Sequence, residues 1–201
     1  MRGFRLGCLC ALLLIAVPSV LPAATIINFD EFASPPVTCC YGTTAVTGPL
    51  VYSDITIAAG ADSGFVMNGD GWDNQQTSGN NLFGTNSGSM ILTFNAATDG
   101  FSVDIINGTS AATFTLTLFD QLDAQLFQTT TGLNDYGTLG SVGTLSATTV
   151  GIWKAVIEGN SNFAIDTVSF NGGAAAVPEP STLALTGAAA LFLSLLRRRR
   201  T

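Results

Sequence analysis

Along residues 25–170 the apolar positions recur in short runs with a period of two, and none keeps the three-to-four spacing of a buried helix face. The clearest run covers residues 112–120. There Phe114, Leu116 and Leu118 alternate with Thr113, Thr115 and Thr117, which predicts a strand with one face in a core and the other in water. Similar runs predict strands at 25–29, 55–58, 65–68, 90–94, 100–106, 126–130, 152–158 and 163–170. Asn68-Gly69, Asp70-Gly71, Asp99-Gly100, Asn107-Gly108 and Asn171-Gly172 supply the positive-φ residues that tight turns between them need. Many short strands without intervening helices predict an all-β fold, an antiparallel β-sandwich of jelly-roll type, with an open barrel as the alternative. Residues 69–88 and 137–143 are the longest irregular stretches, and on such a scaffold long loops are where ligands are met.

The two ends follow other patterns. Arg2 and Arg5 precede a continuous apolar run at 6–17, and residues 18–24 bring small side chains, so residues 1–24 read as a secretory signal peptide. Twelve apolar residues reach about 18 Å as a helix, short of a hydrocarbon core of ~30 Å, which argues against a membrane span. Residues 25–171 are then the exported domain and 172–176 a Gly/Ala linker. After the linker come Val177, Pro178, Glu179 and Pro180, with Ser181 and Thr182 completing the motif at 177–182. An apolar stretch predicts a transmembrane helix at 181–196, and Arg197, Arg198, Arg199 and Arg200 end the chain with Thr201. Under the positive-inside rule these arginines stay cytoplasmic, which puts the domain and the Pro-Glu-Pro motif on the far side. The fourteen apolar residues at 183–196 reach only about 21 Å, a marginal anchor suited to removal.

Charge narrows the function. Of the 14 acidic residues only Glu179 lies outside the exported domain, and of the seven basic residues only Lys154 lies inside it. The domain therefore carries a net charge of about −12 at reference pKa values. Such a surface repels phosphate backbones and anionic lipid, which excludes nucleic acid as a partner. Histidine is absent from the chain, and with it Ser-His and Cys-His catalysis and His-based zinc sites.

The tail resembles the PEP-CTERM sorting domain. The resemblance rests on the conjunction of Pro178-Glu179-Pro180, one apolar segment, the terminal arginine cluster and a signal peptide in the same chain. It implies an exosortase as partner alongside the general secretion machinery. It also implies an inner-membrane precursor facing the periplasm of a Gram-negative cell, then a place at the cell surface or in the extracellular matrix. The exported domain further resembles the jelly-roll domains often carried by such proteins, through Asn28-Phe29-Asp30-Glu31 near its start and Ile165-Asp166-Thr167-Val168-Ser169-Phe170 at its close. That likeness implies a carbohydrate-binding-like sandwich.

Three functions stay open: a non-enzymatic module that binds exopolysaccharide, a structural matrix protein that self-associates, and, third, a glycoside-active enzyme using carboxylate pairs. Trp72, a large aromatic in a polar loop, is the residue expected to stack on a sugar ring, with Tyr41 and Tyr136 as secondary platforms. Trp153, in an alternating segment, is expected in the core. No cofactor is expected beyond a structural Ca²⁺, for which Asp30, Glu31 and Asp166 form one candidate set of hard oxygen donors. The oxygen-rich run at 68–74 is another, without the spacing of an EF-hand. Cys39 and Cys40, adjacent in a turn-rich stretch, are expected to form a vicinal disulfide or a loose pair in a loop.

Overall fold

The computed structural model describes residues 23–33, 46–62, 64–72, 75–160 and 162–171. The expected signal peptide as far as residue 22, Cys39, Cys40, Tyr41 and the whole tail with its sorting motif, apolar segment and arginines lie outside the described residues. Eleven strands follow in chain order: β1 (Ala24–Ile27), β2 (Leu50–Val51), β3 (Ile55–Ala59), β4 (Phe65–Asn68), β5 (Asn81–Thr85), β6 (Ser89–Asn107), β7 (Ala112–Phe119), β8 (Gln125–Leu133), β9 (Val142–Ala147), β10 (Ile152–Glu158) and β11 (Phe163–Asn171). The one helical element among the described residues is the 3-10 turn Gly69–Trp72, and no helix there is long and apolar enough to cross a membrane.

Every strand pairing is antiparallel. One layer runs β2-β3-β6-β10-β7-β8. The other runs β4-β5-β11-β6-β9, with β1 added to the C-terminal half of β11. The 19-residue β6 belongs to both. Its first half pairs with β3 and β10, its second with β11 and β9. The change falls at Asp99-Gly100, read from the sequence as a tight turn between two strands. Gly100 does take a positive φ, 69°, but the chain continues as one strand that crosses from layer to layer. An Asp-Gly pair bends a chain equally well in a hairpin and at such a corner.

The inner faces of the two layers close on one core. Phe114, Leu116 and Leu118 are all buried, as their alternation predicts, along with Met90, Leu92 and Phe94 from one half of β6 and Phe101, Val103 and Ile105 from the other. Aromatic pairs join the layers: Phe114 meets Phe163 edge-on at 5.4 Å, and Phe94 meets Phe170 at 5.0 Å and Phe101 at 6.1 Å. Each such pair adds about 0.5–1.5 kcal/mol beyond the area it buries. The domain is thus an all-β sandwich. Trp153 departs from expectation, being half-buried at a bulge where the register of β10 on β6 shifts between Ile152 and Lys154.

Candidate functional site

The outer face of the β4-β5-β11-β6-β9 layer is built in rows set by register. One patch is apolar and covered: Met67 and Leu82, paired on β4 and β5, and Ala164 and Ile106, paired on β11 and β6, form a second buried cluster, with Val142 and Tyr136 packed against it. Tyr136, expected as a surface platform, is here a packing residue. The next row aligns Asp166, Asp104 and Thr144, and the Thr144 hydroxyl donates to Asp104 Oδ1 at 2.6 Å. The third aligns three serines on adjacent strands, Ser169, Ser102 and Ser146. Their neighbours Phe101, Val103, Phe170 and Leu145 are buried in the core, so the serines stand on the opposite face.

The loop between β4 and β5 lies over the middle row. Gly69 N–H donates to Asn80 O at 2.7 Å and closes the loop at its base. Asp166, with no exposed surface, is the peg beneath it. Its Oδ2 accepts the amides of Thr77 and Ser78, each at 2.8 Å, and its Oδ1 accepts the Ser78 hydroxyl at 2.6 Å and the Thr167 amide at 2.7 Å. A buried carboxylate supplied with this many donors is held as a hydrogen-bond acceptor for backbone. Asp30 Oδ1 takes the next two amides, Asn80 at 2.7 Å and Asn81 at 3.1 Å. Phe29 and Thr167, each next to one of these carboxylates, adopt positive φ of 63° and 43°. A non-glycine residue there costs of order 1–3 kcal/mol, and the pegs' hydrogen bonds hold it.

The expectation that Asp30, Glu31 and Asp166 share a cation is corrected by this geometry. Adjacency of the first and last strands is present, since Ala24 pairs with Asn171 and Ile27 with Val168. The carboxylates nonetheless serve different partners, because Asp30 and Asp166 are turned to loop amides while Glu31 accepts the Tyr52 hydroxyl at 2.5 Å. Among the described residues no group of three or more His, Cys, Asp or Glu stands together in a way that holds a metal. Of the oxygen-rich run at 68–74, Asn68 Oδ1 caps the Asp70 amide at 2.9 Å, and Asp73 and Asn74 lie outside the described residues. Burial, reinforced by the hydrogen bond to Glu31 and its charge, pushes the Tyr52 phenol well above the usual tyrosine range.

Beside the serine row opens a cleft of about 580 Å³, lined by residues 100–102, 146–149 and 169–171 together with Phe127. Among the described residues no ionisable side chain lines it. Its polar side chains are hydroxyls, from Ser102, Ser146, Thr148, Thr149 and Ser169, and the amide of Asn171. A hydroxyl both donates and accepts, so this lining suits a ligand that does the same and carries no charge. The cleft was not legible beforehand, because its residues come from four strands, β6, β8, β9 and β11, that only the fold brings together. Trp72 ends the 3-10 turn in the loop pegged by Asp30 and Asp166. That places its backbone beside this face, and its side chain lies outside the described residues.

Residues 176–200 match the PEP-CTERM protein-sorting motif. The chain is therefore an exported protein with a membrane-anchoring C-terminal tail. A search of curated proteins gave no match. Among solved structures, a DUF4465 family protein from Bacteroides caccae is similar in fold, at 13% identity and a TM-score of 0.50, covering 76% of this chain and 100% of that one. A TmCBM61 structure in complex with β-1,4-galactotriose aligns at 10% identity over 60% of this chain and 90% of that one, with a TM-score of 0.40. The CBM22-1-GH10 modules of a Clostridium thermocellum endo-1,4-β-D-xylanase, complexed with xylohexaose, align at 16% identity over 58% of this chain and 26% of that one, with a TM-score of 0.37.

Proposed function

We propose that this is a non-enzymatic, tail-sorted protein whose exported domain binds neutral polysaccharide on the outer face of the β4-β5-β11-β6-β9 layer. The observation that carries the reading is the cleft's lining: hydroxyls and an amide, with no ionisable side chain, in a domain of about −12 net charge. Anionic polymers are repelled by the whole and cations find no carboxylate in the cleft. A neutral polyol meets donors and acceptors in equal supply. Trp72, carried on the pegged loop, is assigned as the ring on which one sugar stacks. An exosortase acts on Pro178-Glu179-Pro180 after the secretion machinery has delivered the domain to the periplasmic side. Removal of the apolar segment then releases the protein toward the surface or the exopolysaccharide matrix.

Affinity electrophoresis of the processed protein tests the binding. Migration is expected to be retarded by soluble neutral glucans, xylans or galactans and left unchanged by alginate. Ser102→Asp, which puts a carboxylate into the cleft, and Trp72→Ala are each expected to abolish the retardation. Retardation that survives Ser102→Asp removes the cleft from the site, and retardation that survives Trp72→Ala removes the stacking assignment. Absence of retardation by any polysaccharide favours the self-associating matrix protein instead.

A further inference from the structure

Both chain ends leave the domain at one pole. Ala24 pairs with Asn171, Asn171 with Asp99, and Ile152 with Thr98. From Asn171, residues 172–180 separate the last strand from the apolar segment that begins at 181, and these reach at most about 32 Å when fully extended. A membrane-anchoring tail therefore leaves from this pole and keeps it nearer the bilayer than the opposite pole.

Large exposed apolar side chains gather there. Leu122 is 88% exposed at the tip of the β7-β8 turn and Val150 66% exposed at the tip of the β9-β10 connection. Val51 and Ile26, also exposed, flank them. Val51 stands on the register row that runs through Thr56, Thr93 and Lys154 to Phe119, and Ile26 pairs with Ser169 two residues from the exit at Asn171. The two tips are braced from behind. Asp120 Oδ1 accepts the amides of Leu122 and Ala124, both at 2.8 Å, and Asp99 Oδ1 accepts the Gly151 amide at 3.0 Å. Lys154 is paired with Asp123, which holds a positive φ of 61° at the tip. Asp120 and Asp99 thus brace the turns that carry Leu122 and Val150, while the Asp123 side chain, 73% exposed, stands beside Leu122 at the tip.

We propose that this pole is a lipid-contact surface, with Leu122 and Val150 seated in the headgroup region of the bilayer for as long as the tail holds the chain. The tether supplies the effective concentration that a contact of a few aliphatic side chains lacks on its own. Once the tail is removed the contact dissolves, so seating and release are set by the same processing step. The inference rests on the anchoring tail and is independent of what the cleft binds.

The test uses the tail-bearing chain in phosphatidylcholine vesicles, with Cys39 and Cys40 replaced by serine. Single reporter cysteines are placed at Leu122→Cys, Val150→Cys and, at the opposite pole, Leu139→Cys, each carrying an environment-sensitive fluorophore. All three positions are exposed, so folding is not at issue. The proposal expects several-fold weaker quenching by aqueous iodide at positions 122 and 150 than at 139, and quenching at those two alone by nitroxide-bearing lipid. A reporter at Val51→Cys is expected to regain iodide access when Leu122→Asp and Val150→Asp are combined. Equal iodide access at 122, 150 and 139 overturns the proposal. So does shielding without lipid-borne quenching that is lost on diluting the protein in the bilayer, which would mark a second copy as the occupant.

Discussion

Asp30, in the turn after β1, and Asp166, in β11, grip the chain that leads into β5 from two sides: the amides of Thr77 and Ser78 belong to Asp166, those of Asn80 and Asn81 to Asp30. Asp166→Ala leaves part-buried amide and hydroxyl donors without their acceptor, at up to about 1–3 kcal/mol each. It is expected to lower the unfolding free energy by a few kcal/mol in total. The urea midpoint measures the total. Hydrogen exchange at Thr77 and Ser78 localises it, and exchange unchanged at both would refute the peg.

Gly79 gives a separate handle on the same loop. Its φ is 44°, and a Cβ there would overlap the Asp30 carboxylate. Gly79→Ala is expected to dislodge Asp30, cost about 1–3 kcal/mol through the positive φ, and weaken polysaccharide retardation as Trp72 loses its fixed position. Gly132, exposed and with nothing near its Cβ position, is the control: Gly132→Ala is expected to leave retardation unchanged.

Tyr52 sets an alkaline limit. Its folded pKa lies above its unfolded value near 10, so the stabilisation it provides is complete below about pH 10 and is lost as pH rises beyond it. Unfolding free energy measured from pH 9 to 11.5 is expected to fall more steeply for the natural protein than for Tyr52→Phe. Parallel curves would show that the Glu31 hydrogen bond does not hold the phenol neutral.

How far these features were readable beforehand depends on whether the deciding force is local. Strand β7 announced itself because its core face alternates with threonines, and β4 and β10 also kept their expected bounds. Strand β5 did not, because Asn81, Leu82, Phe83, Gly84 and Thr85 are buried on both faces and so show no alternation. Strand β9, with Gly143, Thr144 and Ser146, has the composition of a loop and is a strand only through its pairing with β6. Asp30 and Asp166 were picked out, together with Glu31, as a set across the first and last strands. What they would hold depended on the β4-β5 loop, which neither local sequence reaches.

The tail makes its own prediction. Replacing Pro178, Glu179 and Pro180 with alanine keeps the apolar segment and the arginines, so a mere anchor would behave as before. A processing signal is lost, because the proline rings that keep the motif extended are gone. An uncleaved, membrane-bound chain is expected to accumulate. Mass spectrometry of the C-terminal peptide from hosts with and without an exosortase reads this directly, and Arg197 to Arg200 retained in both would contradict the sorting account.

Binding at the hydroxyl-lined cleft is tested most directly by titrating the isotopically labelled, processed protein with a neutral oligosaccharide and following backbone amide shifts. The account predicts saturable shifts at residues 100–102, 146–149 and 169–171, spreading to the loop at 75–80, with the opposite face at Thr93, Thr115 and Thr117 unmoved. Shifts confined to that opposite face, or none at saturating sugar, would contradict it.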